Sequence, residues 1–223
     1  MSDDWYLRPT WSAADEADFF ARFKRSRGAG NKAQYLVRQA KCLERADSEE
    51  LWRAAIVLLD MMLAEFPEEF FLAEAHSQKA GCLGKLGDHD GAIKHFRLAL
   101  KAVRDNPYHQ VPVAYDFGVF VTENKLRQYY DEVLKALDDK LIVSELEFPS
   151  DIYLNNGIRA LIAAERKDRD NAKKFAQIAL DAANEGNSGV KHHPKFGLVK
   201  DRKSTFYAAV EAIATRGIKS FSN

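Results

Sequence analysis

Apolar residues recur at the 3.6-residue period of an amphipathic helix between Ala73 and Leu100. On the first predicted helix they are Ala80, Leu83 and Leu86, and on the second they are Ala92, Phe96, Ala99 and Leu100. Between the two, Gly87 favours the left-handed backbone conformation that ends a helix, and Asp88 is a favourable cap for the next one. The pattern predicts two helices joined by a tight turn.

Further helix pairs of the same type are predicted along most of the chain. Ala-Leu pairs begin at residues 99, 136 and 179, and Met62-Leu63 takes the matching place before them, which gives steps of 37, 37 and 43 residues. Asn124 takes the turn position of Gly87 in this interpretation, because Asn also tolerates the left-handed conformation. The predicted segments are an irregular stretch at 1–12, first helices and a first pair at 13–67, pairs at 70–107, 110–149 and 150–185, a loop at 186–203 and a last helix at 204–216.

The stretch from Ala73 to Leu100 resembles a tetratricopeptide repeat (TPR). The matching positions are small, large and turn residues in the family's order: Ala80, Leu83, Leu86-Gly87-Asp88, Ala92, Phe96 and Ala99-Leu100. His76 stands where the family usually has an aromatic residue, and Lys79 stands where it usually has Leu. The match covers about one repeat, and the steps between pairs exceed the roughly 34 residues of a TPR. The chain is therefore described as TPR-like.

This resemblance implies an all-α fold of a particular kind. The expected architecture is a right-handed α-α superhelix, a TPR-like solenoid of about four helix pairs that ends in a C-terminal capping helix. A single helical-repeat domain would then span residues 1–223. We expect no sheet, because Leu141-Ile142-Val143 is the one β-like triplet in the sequence.

Composition narrows the classes of function. Lys+Arg and Asp+Glu number 33 each, so the net charge is zero, which argues against a general nucleic-acid binder. Two cysteines, Cys42 and Cys82, do not make a disulfide framework and favour a reducing compartment. The N-terminus is acidic and aromatic rather than a signal peptide, and no apolar run nears the ~20 residues that span a bilayer. We expect a cytoplasmic protein with no membrane partner.

Charge is unevenly distributed along the chain. Seven basic residues and no acid lie between positions 22 and 41: Arg22, Lys24, Arg25, Arg27, Lys32, Arg38 and Lys41. Residues 131–151 carry a net charge of −5, and residues 191–203 carry +4. The basic run has two interpretations, a solvated helix face or a site for an anion or an acidic partner.

Motifs that carry chemistry are missing from the sequence. The six histidines form no H-x-x-x-H set, and the cysteines form no C-x-x-C pair. The sequence also contains no Walker lysine motif, G-x-G-x-x-G or G-x-S-x-G. We therefore predict a protein that is not an enzyme and has no metal site and no cofactor.

The first twelve residues contain Trp5, Tyr6 and Trp11. This content is too aromatic for a disordered tail, so we expect an irregular segment that packs onto the first helices. Two alternatives are an aromatic patch that binds a partner and a scaffold that homodimerises through this segment.

The predicted function is non-catalytic binding of a partner protein or peptide on a concave helical surface, which such a stack forms from the first helix of each pair. A partner with an acidic patch would suit the basic run, and a more specific version is a bacterial inhibitor, such as an immunity protein that neutralises a toxin. The alternatives are a nucleic-acid or anion binder through residues 22–41, which the neutral composition disfavours, and a homodimeric scaffold. The candidate binding residues are Arg38, Lys41, Glu74, Ser77, Lys85, Tyr115, Asp116, Asn155 and Arg159.

Overall fold

The computed structural model describes residues 4–106, 111–139 and 147–216, and their regular structure is entirely helical. The all-α prediction is therefore confirmed for these residues, among which no strand occurs. The triplet Leu141-Ile142-Val143 lies outside them.

The described helices follow one another in this order along the chain. They are α1 (Ala13–Arg25), α2 (Ala29–Glu44), α3 (Glu49–Glu65), α4 (Glu69–Lys85), α5 (His89–Asp105), α6 (Val113–Glu123), a 3-10 turn (Arg127–Tyr129), α7 (Tyr130–Asp138), α8 (Pro149–Glu165), α9 (Arg169–Asn184) and α10 (Thr205–Arg216). The chain divides into two compact units, Met1–Val113 and Ala114–Asn223. The assignment of one domain to residues 1–223 stays a prediction.

In the first unit, α4 packs against both helices of the preceding pair, α2 and α3, and α5 packs against α4. Fully buried side chains at helical spacing form the core on these helices, among them Leu36, Leu58, Met62 and Phe96. Ala80, Ala92 and Ala99 are also fully buried, and their small size allows the helices to approach closely.

The N-terminal segment packs onto α1 and α2, as predicted. The Trp5 ring lies 5.2 Å from Phe19 and 4.9 Å from Tyr35, measured between ring centroids. Gln39 is fully buried and bonds the backbone of Arg8 twice: its amide donates to the Arg8 carbonyl at 2.8 Å, and its side-chain oxygen accepts from the Arg8 N–H at 3.0 Å. The segment therefore belongs to the folded body of the first unit.

In the second unit, α10 packs against both helices of the pair that precedes it, α8 and α9. Gly157 of α8 lies at the contact with α10, because a Cβ atom built there would come within 2.8 Å of the Phe206 ring. The Tyr153 and Phe206 rings meet edge to face at the same contact, with centroids 5.7 Å apart. A glycine thus lets α10 approach α8 closely.

Three helices end in the same type of turn. Gly87, Lys125 and Lys167 have positive φ angles of 81°, 52° and 63°. In each case the next residue donates its N–H to the carbonyl five residues earlier, at distances of 2.9 to 3.0 Å, as in a Schellman motif. The assignment of this position to Asn124 was wrong by one residue, because the left-handed residue is Lys125.

The pairs α4–α5 and α8–α9 have the same layout. Glu69 and Pro149 begin the first helices 80 residues apart, and His89 and Arg169 begin the second helices at the same distance. In both turns the aspartate that caps the second helix, Asp88 or Asp168, accepts the N–H three residues later. Each unit therefore contains a helix pair of the same layout.

Candidate functional site

Two of the candidate binding residues meet at one glutamate of the first unit. Lys41 on α2 pairs with the carboxylate of Glu44 at 2.8 Å, and Lys85 on α4 donates to the Glu44 carbonyl at 2.6 Å. The Lys85 ammonium also lies 5.5 Å from the centre of the Trp52 ring, a cation–π distance. Lys85 therefore links α4 to α2 and α3, whereas the ion pair of Lys41 with Glu44 lies within α2.

The Cys82 thiol lies beside this lysine–glutamate cluster. Burial raises its pKa to about 12, and the carboxylate of Glu44 acts in the same direction. The thiol therefore stays protonated at neutral pH and is a poor nucleophile.

The remaining candidates of the first unit differ in exposure. Arg38 is exposed on α2 and makes no ion pair with any described residue. The Glu74 carboxylate accepts from the Gln78 amide at 3.1 Å. Ser77 is 7% exposed, so α4 turns it inward and little of its side chain is open to a partner.

The basic side chains between Arg22 and Lys41 differ in their contacts. Arg22 pairs with Asp18, one helical turn before the run, at 3.1 Å. The Lys32 ammonium lies 5.4 Å from the centre of the Phe23 ring and 5.3 Å from that of Phe66. Lys24, Arg27 and Arg38 form no ion pair within the described part of the chain. The exposed positive charge of this run is therefore smaller than its seven basic residues suggest. On α2, Arg38 is the basic residue that is exposed and makes no ion pair with a described residue.

Two of the four candidates in the second unit, Asn155 and Arg159, connect α8 with α7. The Asn155 oxygen accepts from Arg159 Nε at 2.7 Å, and Arg159 Nη2 donates to Asp138 of α7 at 2.6 Å. Tyr115 of α6 lies near Asn155, and burial raises the pKa of its hydroxyl to about 12, so the hydroxyl stays neutral. These bonds fix α7 relative to α8.

The candidate binding residues of the second unit differ in how much of their side chains a partner can reach. Tyr115 is 6% exposed, Arg159 is partly exposed, and Asp116 is exposed on the next position of α6. Near them, burial raises the pKa of Asp151, which accepts the Phe148 N–H. Asp116 and Arg159 are therefore the more accessible candidates of the second unit.

Sequence reasoning missed a histidine pair between α4 and α5. The Nδ1 atoms of His76 and His95 are 3.0 Å apart, and burial lowers the pKa of each ring to about 4. Because both pKa values lie well below 7, both rings are neutral at pH 7, and a hydrogen bond at this distance requires that one Nδ1 carries the proton and the other accepts it. The spacing of 19 residues from His76 to His95 matches no known motif. The one sequence signal for their contact was that they lie on two helices that pack together, on either side of the turn at Gly87.

His76 also borders a pocket of about 380 Å³ between α4 and α5. Its other lining residues are mixed in character: Glu69, Leu72, Leu98, Lys101, Ala102, Asp105 and Asn106. Next to the histidines, Lys79 of α4 pairs with Asp60 of α3. No group of three or more His, Cys, Asp or Glu side chains suited to a metal ion occurs among residues 4–106, 111–139 and 147–216.

Comparisons of this chain with models of known protein families, with curated proteins and with solved structures gave no match. Within the described ranges, none of the helices has the length and apolar character needed to cross a bilayer.

Proposed function

We propose that this chain is a non-catalytic module that binds a partner protein or peptide, built as a TPR-like right-handed superhelix of helix pairs. In such a superhelix the first helix of each pair lines a concave surface, and that surface receives the partner. Arg38, Lys41 and Glu74 on one part of the array, and Asp116 and Arg159 on another, are the residues proposed to face the partner.

One observation carries this proposal: the same packing rule operates in both units. In each, a helix rests on both members of the preceding pair, α4 on α2 and α3, and α10 on α8 and α9. Together with the 80-residue correspondence of α4–α5 and α8–α9, this supports a repeat array rather than an irregular helical bundle. Repeat arrays contact only their neighbours, which leaves long surfaces open to a partner.

We propose further that the partner presents an acidic surface to α1 and α2. Lys24, Arg27 and Arg38 make no ion pair among the described residues, so their charge is directed to solvent. Like charges on neighbouring helices repel one another, and an acidic partner would relieve this repulsion and speed association.

The experiment is affinity capture from the native host with full-length protein, followed by binding measurements with the purified partner. The variant is Arg38→Glu with Lys41→Glu. It should slow association and reduce its dependence on salt, because fewer favourable charge pairs form at long range. A matched control is Lys173→Glu with Lys174→Glu, two exposed lysines of α9, which should leave association unchanged.

Several results would contradict the proposal. Capture of nucleic acid in place of protein would favour the alternative of an anion binder, and a defined homodimer without a partner would favour the scaffold. Equal association rates for wild type and the α2 variant, with unchanged salt dependence, would assign the basic residues to ordinary solvated surface.

If the partner is a toxin whose activity falls on binding, the protein is an inhibitor of the immunity type.

A further inference from the structure

The connection between α9 and α10 is much longer than its counterpart in the first unit. Residues 66–68, three in all, join α3 to α4, whereas residues 185–204, twenty in all, join α9 to α10. Yet α4 and α10 pack in the same way, each on both helices of the preceding pair. Three residues are therefore sufficient for such a connection, and the additional length in the second unit serves something other than helix packing.

The tip of this connection has a defined conformation. The Ser188 N–H donates to the Pro194 carbonyl at 2.9 Å, which closes a loop over residues 188–194. Inside it, His193 N–H donates to the Val190 carbonyl at 3.1 Å, and His192 has a φ angle of +72°. These bonds and the left-handed residue define the backbone of the tip.

The base of the loop is attached to the helical body. Ser150 N–H at the start of α8 donates to the Gly197 carbonyl at 2.8 Å. The Phe148 ring fills the space beside Gly197, where a Cβ atom would come within 2.5 Å of it. Farther along, Arg202 donates to the Ala183 carbonyl at the end of α9 at 2.5 Å. The tip is thus presented from a fixed base.

The tip exposes both positive charge and an aromatic ring. Lys191 and Lys195 are exposed, as are His192 and His193, and neither lysine forms an ion pair with a described residue. Phe196 is 61% exposed, the highest value among the exposed large hydrophobic residues of the described chain. Its ring meets Phe148 edge to face, with centroids 5.2 Å apart, and most of its surface is open to solvent.

We propose that residues 185–204 are a recognition loop, in which Lys191 and Lys195 bind an acidic protein surface and Phe196 inserts into an apolar recess between its carboxylates. This inference rests on the proposed function and names a second surface for the partner. An ordered loop that presents an aromatic anchor beside cations has the composition of a binding hot spot, and its order lowers the entropy lost on binding.

A protein partner fits these features better than nucleic acid or lipid. Single-stranded nucleic acid is bound by several aromatic rings along a continuous basic groove, whereas this tip offers one exposed ring. Stable adsorption to an anionic membrane needs a second apolar anchor beside the basic residues, and the described part of this loop exposes one large apolar side chain, Phe196.

The test places a photo-crosslinking residue in the full-length protein within its native host. Phe196→p-benzoylphenylalanine should crosslink to a protein, whereas Phe70→p-benzoylphenylalanine, at a 53% exposed aromatic position of α4, should not give that product. The crosslinked protein is then purified and titrated against variants. Lys191→Glu with Lys195→Glu should weaken binding about tenfold and lower its salt dependence, and Phe196→Ala should weaken it by a similar factor.

The control titration uses the charge-matched variant Lys173→Glu with Lys174→Glu, which should bind within about twofold of wild type. Equal loss in both double variants would overturn the inference, as would a crosslink at Phe70 but not at Phe196. Tighter binding of oligo-dT or of vesicles containing phosphatidylserine than of the crosslinked protein would also overturn it. If the captured partner binds the loop variants as well as wild type, the loop inference fails while the proposed function stands; if no protein is captured at all, the proposed function fails first.

Discussion

The α4–α5 and α8–α9 pairs show which features of a helix pair the backbone requires and which are free to change. Both keep fully buried alanines at matching places: Ala80 and Ala160, Ala92 and Ala172, and Ala99 and Ala179. Both tie the first helix to the helix before it by an ion pair, Lys79 with Asp60 and Arg159 with Asp138. Among the positions that differ are His76 and Asn156, Ser77 and Gly157, Gly87 and Lys167, and His95 and Phe175. Small residues at the contacts therefore define the pair, and the other positions adapt it to its neighbours.

The largest expected effect comes from filling the shared contact. Ala99→Trp and, separately, Ala179→Trp should each lower the free energy of unfolding by about 3 kcal/mol, because a ring cannot enter a site that is fully buried. Chemical denaturation followed by circular dichroism measures this. Ala208→Trp, at an exposed position of α10, is the control. If Ala99→Trp is destabilising and Ala179→Trp is not, the two pairs do not share their packing.

The contact of α8 with α10 should respond to exchange of the matching residues. Gly157→Ser introduces the residue that α4 has at this place, and its Cβ would lie 2.8 Å from the Phe206 ring. We expect a loss of about 2 kcal/mol in the free energy of unfolding. In a protein that already carries Phe206→Ala, adding Gly157→Ser should cost little further free energy of unfolding. A serine that costs as much in that background would show that Phe206 is not the obstacle.

The histidine pair should give α4–α5 a pH dependence that α8–α9 lacks. The folded protein lowers the pKa of His76 and His95 from 6.5 to about 4, so the unfolded chain binds more protons between these values. Stability should be complete above pH 6.5 and decline as the pH falls toward 4. Since both rings are partly exposed, the loss is on the order of 1–2 kcal/mol.

The matching residues of the other pair provide the comparison. His76→Asn with His95→Phe reproduces Asn156 and Phe175 and should flatten the stability profile between pH 4 and 6.5. Denaturation midpoints at several pH values measure this. His192→Asn with His193→Phe, in the exposed loop, should leave the profile as it is in wild type. A double variant at positions 76 and 95 that retains the full decline would assign the pH dependence to other groups.

The smallest expected effects are in the turns. Lys167 has a positive φ angle of 63°, a conformation that glycine adopts without strain, so Lys167→Gly should stabilise the protein by about 0.5–1 kcal/mol. Gly87→Lys should destabilise it by a similar amount, because Gly87 has the equivalent angle of 81°. Thermal midpoints distinguish the two signs. Opposite signs to these would mean that the lysine side chain has a favourable contact that outweighs the backbone strain.

Sequence reasoning located the helices because their apolar periodicity and capping residues are local features. Ser12 caps α1 in a capping box with Asp15, and Asp88 caps α5, as the residue types predict. The left-handed position of this turn was assigned to Asn124 because asparagine tolerates left-handed backbone angles better than lysine. In the structure the Leu126 N–H donates to the Val121 carbonyl, and this hydrogen bond places Lys125 in the left-handed conformation.

The candidate binding residues were harder to predict because exposure depends on neighbouring helices. Ser77 and Tyr115 are polar and lie on first helices of predicted pairs, yet both are buried. The contact of His76 with His95 and the hydrogen bond from Lys85 to the Glu44 carbonyl also join residues that are distant along the chain. Helical periodicity gives the direction of a side chain on its own helix, and it carries no information about what lies opposite.

The two bonds between Gln39 and Arg8 have an evolutionary consequence. Both bonds reach the backbone of Arg8, so they are independent of the side chain at position 8, except for proline, which has no N–H to donate. Substitutions at position 8 would therefore lose the contacts with Asp15 and Asp18 and keep the segment on α2. Among descendants of this sequence, position 39 should vary far less than position 8, although Gln39 is not among the proposed binding residues.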